Sequence, residues 1–254
     1  MKKTKLLLAI AAFSVSTSFF AKAELSPVQK HVQLAMKMEH RDATDTKRDH
    51  NRNPIAALEF FGLEQDMKVI EFAPGNGWYT KILAPVLQDK GELHLAYPEK
   101  WLAGFDPLLK KEGFKSTHKL PINLDWNNEE RRYALGSLNF GMKDADMILN
   151  IREYHNFNLT DKNKLNKAAF DSLKPGGKYV IVDHTRRHME PETKELGRRE
   201  DPVQVILEVQ AAGFILEDSS DMFFRPDDEL RYEVGRKTVT GNTDRFSLVF
   251  KKPE

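Results

Sequence analysis

A strand that runs into a glycine turn and straight on into a helix constrains this chain more than any other feature. Lys68 to Phe72 reads as a β-strand, Gly75-Asn76-Gly77 as a tight turn and Trp78 to Leu87 as a helix. Glycine at such a turn leaves the main chain open to a ligand, and the helix start that follows presents free N–H donors. In open α/β sheets, ligands bind in the crevice at the carboxyl ends of the strands. The turn departs from the dinucleotide fingerprint Gly-x-Gly-x-x-Gly. Its third small position is Thr80, and Trp78-Tyr79 crowd the place of a pyrophosphate. Nicotinamide and flavin dinucleotides are therefore disfavoured, and a cofactor without phosphates fits better.

The segments around the turn alternate in type. Glu92 to Tyr97, Met147 to Ile151 and Tyr179 to Asp183 read as strands; Trp101 to Lys111 and Asp161 to Leu173 read as helices. Such alternation predicts crossover connections and a mostly parallel sheet covered on both faces. Asn53-Pro54 and Asp201-Pro202 each open a helix by the same grammar, a capping residue and then proline, with Gly62 and Gly213 as the stops. Pro85 predicts a kink or an early end in the helix after the glycine turn. Pro175-Gly176-Gly177 predicts a turn between a helix and the next strand. Phe214 to Asp218 and Phe246 to Lys251 read as strands with no helix between them, an antiparallel ending with a long insertion from Ser219 to Arg245.

Composition removes several chemistries. The chain has no cysteine, which excludes disulfides, thiolate nucleophiles, Cys-ligated zinc and iron–sulfur clusters. The first 23 residues combine a basic start (Lys2, Lys3, Lys5), an apolar stretch from Leu6 to Phe20 and a small-x-small site at Ala21-Lys22-Ala23. That stretch is shorter than the roughly 20 residues needed to span a bilayer, so residues 1–23 are expected to be a cleaved secretory signal and the protein to be exported to the periplasm without stable membrane insertion. Cleavage removes four lysines and no acid, taking the formal charge from +1 to −3. A mildly acidic chain gives no reason to expect nucleic acid as a partner. Residues 24–53 form a charged lead-in, read either as surface or as a lid through Asp49 and Arg52, and residues 54–254 form the main domain.

Five stretches carry a resemblance: Arg48 through Pro54, Glu71 through Pro85, Val182-Asp183-His184, Ala211 through Phe214, and Asn242 through Phe250. On these the chain resembles the class I S-adenosylmethionine-dependent methyltransferases, and more narrowly a group of predicted, exported bacterial methyltransferases. The resemblance implies a Rossmann-like fold with a mostly parallel seven-stranded sheet, helices on both faces and an antiparallel C-terminal strand. It also implies S-adenosylmethionine as cofactor and a small-molecule methyl acceptor. Glu71 would accept a hydrogen bond near the methionine end, with Gly75 and Gly77 packed against it and Pro74, Trp78, Tyr79 and Asn150 in the same site. Asn76 stands where the family pattern expects glycine. Glu99 is the candidate to hold the ribose hydroxyls, since charge-assisted bonds to a carboxylate are strong. For adenine, either Asp125 accepts from the amine or Trp126 stacks on the ring.

A sulfonium is already an activated methyl donor, so the protein has mainly to align the acceptor and remove a proton. Candidates leave the sheet together at Asn150 through Asn156: His155 as general base, Tyr154 shaping the site and Arg152 binding an anionic substrate. His184, at the end of the next strand, faces the same crevice. His184 and His188 would form a metal pair only on a helix, so no metal is expected. A different class of function is a ligand-binding module that keeps the fold without turnover, because the cofactor is made in the cytoplasm and fold does not fix function.

Overall fold

Successive side chains on a strand point to opposite sides, and here both sides are apolar. In the computed structural model, which describes residues 24–254, the strands are β1 (Lys68–Phe72), β2 (Glu92–Tyr97), β3 (Thr117–Pro121), β4 (Asp125–Asn127), β5 (Arg132–Ala134), β6 (Ala145–Ile151), β7 (Leu173–His184), β8 (Ile215–Ser220) and β9 (Arg245–Lys251). Val69, Leu93, Leu95, Met147, Leu149, Val180 and Val182 fill one face. Ile70, Phe72, Ile148, Tyr179, Ile181 and Phe250 fill the other. A sheet apolar on both sides must be covered on both, as in parallel α/β folds.

The first face lies under α1 (Pro27–Ala35), α4 (Pro54–Phe60) and α5 (Thr80–Leu87), with α2 (Ala43–Thr46) and α3 (Asp49–Arg52) between them. After β2 come α6 (Glu99–Leu102) and α7 (Asp106–Leu109). The second face lies under α8 (Leu159–Ser172) and α9 (Pro202–Ala211). The seven-stranded sheet has the order β3-β2-β1-β6-β7-β9-β8, and only β9 runs against its neighbours; β4 and β5 form a separate hairpin. The chain leaves β1 toward β2 on one side and later returns through β6 on the other. This change of direction opens a crevice at the carboxyl ends of β1 and β6.

Several sequence expectations need correcting. Pro85 neither ends nor shortens α5, which runs on to Leu87. A proline at that position cannot donate to the carbonyl of Lys81; His40 from the lead-in supplies the missing donor, its Nε2 lying 2.7 Å from that oxygen. The helix expected over Trp101 to Lys111 is broken by a 3-10 turn at Ala103–Phe105, and α7 restarts with Pro107 in its first turn. Asn53 has φ 38° and ends α3 as it begins α4, without capping through its side chain. Pro175-Gly176-Gly177 lies within β7. Leu173 pairs with Ala145 and Lys178 with Met147, so the residues between them loop out of the ladder.

The lead-in is integral to the fold. Val32 and Ala35 of α1 are buried against α4 and α5, Arg41 pairs with Asp49, and Asp45 pairs with Lys81 of α5 at 2.6 Å. No described helix is long and apolar enough to cross a membrane. The expected leader, residues 1–23, lies outside the described residues.

Candidate functional site

Three cavities meet at the carboxyl ends of β1 and β6. The central one, about 200 Å³, is floored by Glu71 and bounded by Pro74, Gly75, Tyr79, Arg52 and Glu153. On one side, a cavity of about 640 Å³ shares Gly75 and Asn76 with it and reaches Tyr97 and Trp101. On the other, a cleft of about 480 Å³ shares Arg48, Arg52 and Arg152 and adds Lys47, His184 and Arg245.

Glu71, one residue before the end of β1, points to the α5 face and is buried. Thr80 Oγ1 donates to its Oε2 at 2.6 Å. Burial pushes the carboxyl up to about 8, against the opposing pull of the Thr80 hydrogen bonds and the Arg52 charge. Beyond Glu71 the chain turns through positive φ at Ala73 (47°), Gly75 (59°) and Gly77 (72°). The two glycines serve different purposes. A Cβ at Gly77 would lie 2.8 Å from Phe105 Cε1, whereas a Cβ at Gly75 meets nothing within 4 Å and would stand in the open cavity.

The lead-in closes over the turn. Trp78 Nε1 donates to the carbonyl of Asp45 at 2.9 Å, and the Arg52 guanidinium lies over the rings of Trp78 (4.6 Å) and Tyr79 (5.5 Å). Burial drives Arg52 down to about 9, and repulsion from Arg48, Arg152 and Arg245 adds to it. Across the cavity, burial raises Glu153 to about 7, opposed by His155 and by a bond from Asn156 Nδ2 at 2.9 Å.

The end of β7 carries a chain of polar contacts. Asp183 accepts from the backbone N–H and the Nδ1 of His155, at 3.0 and 2.7 Å. His184 accepts from Arg152 Nε at its Nε2 (3.1 Å), which leaves Nδ1 to donate to Thr243 Oγ1 at 2.8 Å. Burial, with Arg152 and three further cationic or imidazole neighbours, holds His184 well below the usual histidine range. It is a neutral imidazole with both nitrogens engaged. The neighbouring acid therefore orients His155, and His184 belongs to a separate network.

Glu71, Pro74, Gly75, Trp78 and Tyr79 all line the central cavity, Gly77 braces it from behind, and His184 sits in the adjoining cleft. Other expected residues are not brought there. The Tyr154 hydroxyl turns away into the α8–α9 face, donating to Glu208 and accepting from Asn166 Nδ2 at 2.9 Å. Asn150 shares the face of Ile148 and donates to the Tyr179 hydroxyl, because strand alternation sends it away from the crevice. His155 is buried behind His184, their rings 5.9 Å apart. Glu99 is exposed in the first turn of α6, since β2 already ends at Tyr97. Asp125 is exposed on the β4–β5 hairpin, and Trp126 packs edge-on against Tyr133. His188 binds Asp201, and no metal-binding cluster occurs among the described residues. Arg48, Glu153, Thr243 and Arg245 are the additional residues. Their signal in the sequence was slight: Arg48, Thr243 and Arg245 fall in two of the stretches that carry the resemblance, nearly 200 positions apart.

Several solved structures resemble this fold. A SAM-dependent methyltransferase from Aquifex aeolicus aligns over 88% of this chain and 97% of its own, with TM-score 0.55 and 18% identity. The cyclase SpnF aligns over 80% of each chain, with TM-score 0.56 and 15% identity. Human N-acetylserotonin methyltransferase, solved in complex with SAM, aligns over 89% of this chain and 57% of its own, with TM-score 0.52 and 11% identity. No family model and no curated protein matches the sequence. The fold is that of the class I SAM-dependent methyltransferases, a fold that the cyclase also uses.

Proposed function

We propose that this chain is a SAM-dependent methyltransferase acting on a small molecule. The observation that carries the reading is buried Glu71 beneath an open glycine turn at the point where the sheet changes direction, with Arg48 and Arg52 facing it. The donor set suits an amino acid attached to a nucleoside. Glu71, giving up its proton to the arriving positive charge, would accept from the ammonium, the Arg48 and Arg52 guanidiniums would take the carboxylate, and Tyr97 and Trp101 offer aromatic faces to the nucleoside. When bound, the cofactor would supply an activated methyl group to the acceptor's lone pair, with its sulfur as the leaving group that keeps the electron pair. The chain's own contribution is alignment and proton removal. Glu153, raised to about 7, is poised to take the acceptor's proton on a carboxylate oxygen near neutral pH. With the leader read as a signal, this activity belongs in the periplasm.

Calorimetry with S-adenosylmethionine and its demethylated product tests the reading. Saturable binding that Glu71→Gln weakens about tenfold, the worth of one charge-assisted bond, is the expected result. Absence of binding by either compound overturns it.

One observation favours a second reading, a ligand-binding module without turnover: both nitrogens of the His184 imidazole in the cleft are already engaged. Tight cofactor binding with no methylated product across a broad acceptor panel would select it.

A further inference from the structure

Buried arginines elsewhere in this chain have carboxylate partners. Arg41 pairs with Asp49, and Arg199 grips Asp228 with two bonds of 2.9 and 3.0 Å. The cleft next to the Glu71 cavity breaks that rule. Lys47, Arg48, Arg52, Arg152, Arg198 and Arg245 all line it, and no acidic side chain does. Of the six, only Arg198 has a carboxylate partner among the described residues, Glu233. Arg52 and Arg245 are 8% and 7% exposed. Removing one partner from a buried charge pair is strongly destabilising because an uncompensated charge remains. A cluster of this kind is tolerated where an anion completes it.

The cluster is also held in place. Arg52 is stacked on Trp78 and Tyr79; Arg245 lies 4.5 Å over the Phe223 ring and donates to the Asn51 carbonyl. Arg152 has φ 64°, its backbone N–H donates to Val182 O at 2.7 Å, and it spends only Nε on His184. Side chains fixed before binding lose less entropy when a ligand arrives, and the planar guanidinium fork matches the oxygens of carboxylate and phosphate. The neutral His184 adds no competing charge. Lowered pKa values at Arg52 and Arg245, from burial and then the neighbouring cations, fit the same picture.

We infer that this cleft is the acceptor subsite and that it takes a small molecule bearing at least two oxyanion charges, as phosphate or carboxylate groups. Its volume of about 480 Å³ suits a metabolite, and the near-neutral charge of the whole chain, +1, gives no excess of cations for a general basic surface. Arg48, Arg52 and Arg152 line both this cleft and the Glu71 cavity, so an anion held here adjoins the place where the methyl group would be. The word acceptor rests on the methyltransferase reading; the anion site does not.

The test is calorimetry on the full chain with two probes, pyrophosphate for phosphate groups and citrate for carboxylates, run beside S-adenosylmethionine. Binding of either probe, weakened about tenfold or more by Arg152→Gln and by Arg245→Gln but unchanged by Arg187→Gln on the exposed surface, is the expected result. The tighter probe identifies the group. Should the two variants fail to fold, the wild-type salt dependence decides: probe affinity should fall severalfold as sodium chloride rises from about 50 to about 500 mM, since the site is open to ions. Cofactor binding without any probe binding overturns the anion site and leaves methyl transfer standing. Probe binding without cofactor binding keeps the anion site and overturns methyl transfer. An oligonucleotide that binds more tightly than both probes, and is itself weakened by Arg245→Gln, overturns the small-molecule assignment.

Discussion

Arg152 donates its Nε–H to Nε2 of His184 across 3.1 Å. A guanidinium only donates, so this one contact selects the tautomer of the imidazole, directs its remaining N–H to Thr243 and keeps the ring neutral. It also ties the end of β6 to the end of β7, the two strands between the Glu71 cavity and the cationic cleft.

Nitrogen-15 NMR of the histidine rings checks this directly. His184 should show an unprotonated Nε2 and no titration near pH 6.5. The unfolded ring takes up a proton below about 6.5 and the folded one does not, so this group's stabilising contribution is present above that pH and is lost as pH falls. His184→Asn should flatten the acid limb of a plot of melting temperature against pH. A normal titration of His184 would refute the assignment.

Glu71 behaves oppositely. Its folded pKa of about 8 lies above the ordinary 4.5, so the folded state holds a proton that the unfolded state releases, and stability declines as pH rises between those values. Glu71→Gln keeps the shape and removes the penalty. The variant should melt several degrees above the wild type at pH 8.5, with the gap closing toward pH 5, and should bind cofactor less well. An equal gap at both pH values would contradict the protonation argument.

His40 and Pro85 make a testable pair. His40→Ala leaves the Lys81 carbonyl without its donor and should cost about 1 kcal/mol in urea unfolding. Pro85→Ala restores a backbone N–H that reaches the same carbonyl from within α5. In the double variant, most of the loss should return; simple additivity of the two changes would show that the contact is incidental.

The two glycines of the turn should separate folding from binding. Gly77→Ala combines strained φ with a 2.8 Å approach to Phe105 and should destabilise by about 2 kcal/mol or more. Gly75→Ala carries only the backbone strain, about 1 kcal/mol, and puts its methyl into the open cavity. Its larger effect should be on cofactor affinity. If both variants lost stability and affinity in the same proportion, the turn would have no ligand-facing side.

The regular framework was legible because local rules suffice there. β1 and β2 fall where the apolar runs predict, α9 begins after Asp201 with that side chain accepting from Val203 N, and β9 closes the sheet in the antiparallel sense expected. The misreadings share a cause. Pro85 is accommodated by a histidine 45 positions upstream, and the Pro175-Gly176-Gly177 bulge is absorbed by pairing with β6. Asn150 and Tyr154 belong to the segment that leaves the sheet beside the crevice, but the pleat of β6 turns Asn150, and the 3-10 turn at Tyr154–Asn156 turns Tyr154, to the opposite face, under α8 and α9.

The amino-acid order by itself determined the alternation of elements, the glycine turn with Glu71 before it, and the exclusion of cysteine chemistry, since each follows from side-chain periodicity, backbone freedom or composition. Only the tertiary structure decided which charges meet. Arg48 and Arg52, Arg152, and Arg245 come from three separate segments, and nothing in their spacing along the chain says that they share one cleft. Their shared lack of carboxylates exists only once α3, β6 and β9 are packed together, because electrostatic energy depends on distance and burial in space and not on separation along the chain.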